Sequence, residues 1–275
     1  MAIVITGILA GIVGVFITGP VQGYVDSVRR AELTDAADVA LRRITRDLRL
    51  AVPNSLRVTT SGGVNYMEFI ITSAGGRYRD PADGSTAGNF LSFTTPGAVT
   101  FDVLGTMPAN PAIAINDYIV VYNLGPGYEP ANAYRRDEAQ CDATPVSPGC
   151  NIAQVTGIAA NVITLDANPF AFQAPPLPSP DARFQVVPGG SRAVTYACPT
   201  AAGNLTRYWN YGFNAVQPTA FVSGSSTLLA SASSCNVEYT ANASGRNGLL
   251  YLELTLTSGG ESVTLFQQIH VDNAP

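Results

Sequence analysis

Apolar positions in the first part of the chain follow a helical pattern. Residues 1–24 carry no charged side chain, and a helix of ~20 apolar residues is long enough to cross a bilayer. In residues 25–52, apolar side chains recur at steps of three and four, which predicts an amphipathic helix that stops at Pro53. The recurring positions, expected to pack on the rest of the protein, are Leu33, Ala37, Leu41, Ile44 and Leu48. We therefore expect one long helix with an apolar first half and an amphipathic second half.

The apolar half has its own internal features. Glycines such as Gly7 and Gly11 would let neighbouring helices approach closely. Gly19 and Pro20 would weaken or kink the helix, because glycine is entropically costly there and proline lacks the N–H group. The residues expected to lie in a membrane or among other helices are Ile3, Ile5, Ile8, Leu9, Ile12, Val15, Phe16, Gly19 and Pro20.

After Pro53 the pattern changes to short runs in which apolar and polar residues alternate, as in β-strands. The predicted strands cover residues 56–60, 64–72, 90–94, 99–104, 116–124, 152–158, 162–166, 183–188, 192–198, 205–213, 249–257 and 261–271. Gly259 and Gly260 join the last two runs and form the strongest hairpin signal. Segments near 124–150 and 168–182 are expected to be insertions. The predicted fold class is α+β, a long N-terminal helix packed on a mostly antiparallel β domain, and a sandwich-like enlargement of the sheet stays open.

Composition and cysteine spacing restrict the partners and the compartment. Charged residues make up 13% of the 275 residues and the net charge is −5, which argues against nucleic acid, because phosphates need a basic surface. Of the three pairings that four cysteines allow, we favour the disulfides Cys141–Cys150 and Cys198–Cys235, with four buried thiols as the alternative. A single histidine and the lack of a CxxC pair give a zinc site little support.

Candidate chemistry is sparse. The sequence contains no nucleophile, phosphate-binding or dinucleotide motif, so we predict no enzyme activity and no cofactor. The only histidine, His270, lies in a predicted strand, where a structural role is the simpler interpretation. Asp80 and Asp83 resemble a calcium loop weakly, and a solvated turn is the alternative. Candidate partner-surface residues, which could instead fill the core where they lie on strands, are Tyr134, Arg135, Arg136, Tyr208, Trp209 and Tyr211.

The charges around the apolar run conflict with the cysteines. Arg29 and Arg30 follow the run and no basic residue precedes it, so the positive-inside rule places the large domain in the cytoplasm. Disulfides instead favour an oxidising compartment. Both observations agree if a short basic leader lies upstream of Met1 or has been removed.

Three segments of the sequence resemble a known protein family. Met1–Gly14, MAIVITGILAGIVG, resembles the interior of the N-terminal segment of type IV pilins. In that family a basic leader ending in glycine is cut before a phenylalanine and a nearby glutamate. The chain lacks these, so we expect Met1 to be an internal methionine or the start of a shortened chain that assembles poorly. Glu261–Pro275 and Arg207–Phe213 are similar to the MshO-type minor pilins of the mannose-sensitive haemagglutinin (MSHA) pilus.

The resemblance implies a non-enzymatic minor pilin that helps to initiate or cap a type IV, MSHA-like pilus, at or near its tip. Residues 1–52 would form the pilin helix, with 1–24 in the inner membrane and later the filament core, and 53–275 a periplasmic β-rich domain. The implied location is the inner membrane and the assembled pilus on a Gram-negative cell surface. Implied partners are other major and minor pilins, the inner-membrane assembly machinery and the membrane itself. A minor pseudopilin of a type II secretion system and a membrane-anchored periplasmic binding module are the alternatives.

Overall fold

The computed structural model describes residues 2–81, 87–138, 141, 149–241, 243 and 247–275. Within the first nineteen residues, side chains are described only at positions 4, 5, 7 and 11, and from Pro20 onward the helical side chains are described without a gap. The α-helix α1 spans Ala2–Leu48 and continues through Pro20. It ends where backbone hydrogen bonds shift from the i−4 to the i−3 carbonyl, as from the Leu50 amide to the Asp47 carbonyl.

Thirteen strands follow among the described residues. They are β1 Arg57–Ser61, β2 Val64–Ile70, β3 Ala74–Tyr78, β4 Thr100–Leu104, β5 Tyr118–Val120, β6 Ile152–Ala159, β7 Val162–Leu165, β8 Arg183–Val187, β9 Ala193–Pro199, β10 Gly203–Trp209, β11 Ser225–Thr240, β12 Asn247–Ser258 and β13 Glu261–Asp272. Short 3₁₀ turns lie at Ala133–Arg135 and Pro169–Phe172. Strands β3 and β11 were missed in the sequence, and the predicted strand at 90–94 is irregular chain.

Seven strands form one antiparallel sheet in the order β1-β2-β9-β10-β11-β12-β13. The inner face of this sheet carries α1, whose closest strand is β13, followed by β12 and β11. The buried face of α1 and the inward side chains of the sheet form one hydrophobic core, which includes Ile44, Phe69, Tyr196, Leu252 and Leu254. The helix therefore covers the inner face of the sheet mainly on the side of β13.

The other six strands close into a barrel in the order β3-β4-β7-β6-β5-β8. All six lie between β2 and β9 in the chain, although β2 and β9 are direct partners that pair Ile70 with Ala193. The barrel has a core of its own, which includes Phe101, Ile163 and Phe184. A third cluster contains residues from both parts. The barrel is thus a single long insertion into one hairpin of the sheet.

The predicted α+β fold class is wrong. Strands account for 41% of the chain and helix for 17%, so the protein is mostly β, with one N-terminal helix, a closed barrel and a curled sheet. Sequence alternation identifies many strands but not their partners. It predicts a mostly antiparallel β domain, leaves a sandwich-like enlargement of the sheet open and does not reveal the barrel. The segments near 124–150 and 168–182, predicted to be insertions, fall in the chain between β5 and β6 and between β7 and β8.

All four cysteines are paired in the structure. Cys198 on β9 is bonded to Cys235 on β11, and Cys141 is bonded to Cys150, as favoured from the sequence. The first bond lies in the core beneath the sheet, and the second lies in the cluster shared by sheet and barrel. Each disulfide therefore reinforces a different core.

The predicted membrane span concerns the first part of α1. Across the residues and side chains that the structure describes, no helix is both long enough and apolar enough to cross a membrane. The continuously described part of α1 begins at Pro20 and carries charges at Asp26, Arg29, Arg30 and Glu32. This finding contradicts the predicted single-pass anchor in the inner membrane.

Candidate interaction surfaces

The second half of α1 is a packing element. Ala37, Leu41, Ile44 and Leu48 are almost completely buried, and Leu33 packs against the edge of the same core. These are the five positions that the helical periodicity selected. Their burial holds α1 on the sheet, because apolar area removed from water contributes roughly 25 cal/mol per Å².

The part of α1 before Arg29 exposes apolar side chains. Val21 and Val25 are 55% and 44% exposed, Tyr24 is 72% exposed and Val28 is 40% exposed. Nearer the start of the helix Ile5 is 55% exposed, as one of the residues predicted to lie among other helices. Pro20 is also exposed, and the side chains of Ile3, Ile8, Leu9, Ile12, Val15, Phe16 and Gly19 fall outside the described residues.

Two arginines connect α1 to the β12–β13 hairpin, directly after the exposed N-terminal part of the helix. The Arg29 side chain donates a hydrogen bond to the Gly259 carbonyl at 3.1 Å, and Arg30 pairs with Glu261 at 2.5 Å. Gly259 lies in the β12–β13 turn, and Glu261 is the first residue of β13. Val21 and Val25 lie on the N-terminal side of this attachment, so they extend an apolar surface beyond the turn.

The C-terminal end of α1 is held by a buried ion pair. Asp47 accepts hydrogen bonds from Arg207 at 2.9 Å and from the Tyr196 hydroxyl at 2.8 Å. Asp47 is 6% exposed and Arg207 is 8% exposed. Burial and the neighbouring Asp47 carboxylate both raise the pKa of Tyr196. The tyrosine therefore stays protonated and donates to the aspartate.

A second buried ion pair lies on the opposite face of the sheet. Arg57 donates to Glu68 at 2.7 Å, and the Tyr211 hydroxyl donates to the other Glu68 oxygen at 2.8 Å. Glu68 is completely buried, and this burial raises its pKa even though Arg57 lowers it. The guanidinium also donates to the carbonyls of Asn214 and Ala215. The pair therefore ties the loop after β10 to the sheet.

The prediction that Tyr134 forms part of a partner surface is wrong, because its side chain is buried. Tyr134 is 0% exposed, its hydroxyl donates to the Ser55 carbonyl, and Arg57 stacks on its ring at 3.6 Å. Arg135 pairs with Glu138 and Arg136 with Asp166. Tyr134 and Arg136 therefore join the β5–β6 connection to other parts of the protein, whereas Arg135 pairs within that connection. Tyr134 has no surface to offer a partner.

The other predicted partner-surface residues, Tyr208, Trp209 and Tyr211, are also largely covered by neighbouring side chains. Phe221 stacks on Tyr208 at 4.2 Å between ring centres and meets the Tyr211 ring at 5.0 Å. Trp209 lies beside the buried Arg207 guanidinium, with 4.8 Å to its ring centre. Each of the three predicted aromatics is only partly accessible. The loop that contains Phe221 thus covers most of this patch.

The weak calcium candidates and the single histidine have separate positions in the structure. The described residues contain no group of three His, Cys, Asp or Glu side chains placed to hold a metal. Asp80 is half-buried after β3, and Asp83, the other weak calcium candidate, lies outside the described residues. His270 is exposed on β13 and belongs to no such group.

A scan against protein-family models, a search of curated proteins and a search of solved structures each found no match to this chain. The functional argument therefore depends on the fold, its surfaces and the sequence resemblance.

Sequence reasoning missed both the Arg57–Glu68 pair and the open edge of β13. Arg57 and Glu68 lie opposite each other on the adjacent strands β1 and β2. The residues next to a charged position on a short strand do not indicate whether that side chain will be buried. The alternation of β13 shows which side chains share a face, but not which edge of the strand has a neighbour.

Proposed function

We propose that the protein is a non-enzymatic structural subunit of a type IV pilin-like filament, comparable to a minor pilin. The observation that carries the proposal is the division of α1 into two halves. From Leu33 onward one face of α1 is buried on the sheet, and the described apolar side chains before Arg29 are exposed. Such a surface favours burial against other subunits, since contiguous exposed apolar surface marks interaction sites.

The spacing of the exposed residues supports a helical partner. Val21, Val25 and Val28 follow one another at steps of four and three, so they form a single stripe along α1. Steps of this kind fit the packing of one helix against another. The resemblance of Met1–Gly14 to pilin N-terminal segments agrees with this arrangement, and the expected partners are other pilin-like subunits.

The β part would then be the displayed portion of the subunit. It contains a closed barrel in addition to the sheet that carries α1. Its size and its barrel insertion are consistent with a specialised position, such as the tip, rather than a repeated position in a shaft.

Site-specific cross-linking tests the proposal. A photoreactive amino acid replaces Val25 in the protein expressed in its source cells, and a matched variant carries it at Val39. Val39 is 66% exposed on the second half of the same helix. We expect adducts with pilin-like chains from position 25, at several times the yield from position 39, identified by mass spectrometry.

Equal yields from the two positions, or adducts that contain no pilin-like chain, would count against the proposal. Deletion of the gene provides a second measurement. We expect fewer filaments per cell in electron micrographs, restored by the native gene and not by a Val21→Asp, Val25→Asp variant. Unchanged filament numbers after deletion would also oppose a role in assembly.

A further inference from the structure

Strand β13 forms one open edge of the seven-stranded sheet. It pairs with β12 over twelve consecutive residue pairs, from Ser258–Glu261 to Asn247–Asp272, without a register shift. Among the described strands none pairs with its other side. The edge is therefore long and regular, and no described strand pairs with it.

The hairpin geometry identifies which backbone groups face outward. Gly259 and Gly260 both have positive φ, 55° and 87°, as in a two-residue hairpin turn. The residues that flank such a turn, Ser258 and Glu261, exchange both backbone hydrogen bonds, and this pattern repeats at every second pair. The N–H and C=O groups directed away from β12 consequently belong to Ser262, Thr264, Phe266, Gln268 and His270.

This edge lacks the usual features that prevent strand addition. Proteins commonly protect open edges with lysine, proline, bulges or inward charges. Residues 261–272, ESVTLFQQIHVD, contain no lysine or proline, and their carboxylates occur only at the two ends. Strand addition by another chain is the interaction that such an edge favours.

A basic groove runs beside the edge. Its volume is about 470 Å³, and it lies between the flank of α1 and Gln267 of β13. Arg42, Arg46 and Arg49 line it, with Leu41 and Leu50 among its apolar residues. The Arg42 and Arg46 side chains are 79% and 70% exposed. Asp38 pairs with Arg42, and Arg46 lies 3.8 Å from Asp47, a carboxylate that is shared with Arg207. Among the described residues no carboxylate pairs with Arg49, so the groove keeps an excess of positive charge.

We infer that the edge of β13 binds an extended segment of a partner protein that carries acidic side chains on alternate residues. Added next to β13, that segment would satisfy the outward backbone groups. One of its faces would lie on the same side as Gln267, directly towards the arginines of α1, because side chains alternate along a strand. Carboxylates on that face complement Arg46 and Arg49.

This inference does not depend on the proposed filament role. The exposed stripe of that role lies before Arg29, and the groove lies beyond Ala37. Variants at Val21 and Val25 therefore leave the β13 site intact, and each hypothesis can fail alone.

Hydrogen exchange on the full chain tests the inference with two synthetic peptides. One is acetyl-TEVEVEVEVT-amide, and the other has lysine in place of every glutamate. We expect the glutamate peptide to slow exchange over residues 261–272, and the lysine peptide to leave it unchanged. Fluorescence anisotropy of labelled peptide gives the affinity and its decrease with salt.

Three variants make the result specific. Arg46→Gln with Arg49→Gln should weaken glutamate-peptide binding about threefold to tenfold, as expected for exposed ion pairs. Arg183→Gln, an exposed arginine on β8, is the matched control and should bind normally. Thr264→Pro should abolish the slowed exchange, because proline removes an outward N–H group and is tolerated on edge strands.

Equal binding of the lysine peptide, or no slowed exchange with either peptide, would overturn the inference. Slowed exchange of residues 261–272 that grows with protein concentration in the absence of peptide would also overturn it, since the occupant would then be a second copy.

Discussion

At the scale of single residues, two buried carboxylates on opposite faces of the sheet organise the loops and the helix around it. Asp47 joins the end of α1 to Arg207, and Glu68 joins the loop after β10 to Arg57. Each carboxylate accepts a second hydrogen bond from a tyrosine. Removal of one partner from such a pair leaves an uncompensated buried charge, which is far more costly than loss of a surface pair.

Arg57→Met should lower the free energy of unfolding by roughly 3–5 kcal/mol at pH 7, the range for breaking a buried ion pair. Burial already raises the pKa of Glu68 above its ordinary value of 4.5, and loss of Arg57 raises it further. A carboxyl whose pKa is raised by folding stabilises the protein fully below its unfolded pKa, and that contribution is lost as the pH rises through the folded pKa. Denaturant unfolding should therefore show a larger stability decrease between pH 4.5 and 7 in the variant than in the native protein.

Arg183→Met provides the control for this prediction. Its ion pair with Asp181 is more than half exposed, so we expect a change within about 0.5 kcal/mol. A loss in Arg57→Met that is the same at every pH would show that packing on Tyr134, rather than charge, explains the effect.

At the scale of elements, the β12–β13 hairpin has two roles. Its turn binds α1, and its second strand forms an open edge of the sheet. The turn depends on a backbone conformation that glycine adopts readily. Gly260 has φ +87°, and no heavy atom lies within 4 Å of the position that a Cβ would occupy. Conformation rather than space therefore restricts substitution there.

Gly260→Ala should lower the free energy of unfolding by about 1–2 kcal/mol, the cost of a left-handed backbone for an L-residue. Gly190 is the matched control, because it has equal open space and no positive φ. Gly190→Ala should be neutral or stabilising by up to about 1 kcal/mol, through a less flexible unfolded chain. Thermal and denaturant unfolding compare the two, and equal effects would contradict the role assigned to the turn conformation.

At the scale of the whole molecule, the barrel is an insertion between two strands that are already partners. Ile70 pairs with Ala193, and the Ile71 amide donates to the Arg192 carbonyl at 3.1 Å. The chain thus leaves the sheet and returns to the position opposite its exit. The cluster shared by the two parts covers Ile70 of β2 and Val52 of the segment between α1 and β1.

A chain in which residues 72–191 are replaced by an Asn-Gly turn should still form the sheet. We expect cooperative unfolding, a β-type circular dichroism spectrum and an oxidised Cys198–Cys235 bond, with lower stability because Val52 and Ile70 lose their cover. Mass spectrometry under non-reducing conditions reports the disulfide. A shortened chain that unfolds without cooperativity would show that the sheet needs the barrel to fold.

Sequence periodicity alone determined the elements whose signals are local. The buried stripe of α1, the β12–β13 hairpin and the spacing of the cysteine pairs all follow from residues close together in the chain. Strand β11 was missed because its serine- and alanine-rich start lacks strong β-forming residues, and β3 was missed because it contains two glycines.

Only the tertiary structure decided how those elements meet. The sequence could not show that six strands close into a barrel, that Tyr134 is buried, that Arg57 finds Glu68, or that β13 lies at an edge beside three arginines. Alternation along a strand specifies its two faces, whereas its neighbours are chosen by pairing between distant parts of the chain. The proposed surfaces depend on those neighbours, so they emerge only when the chain is folded.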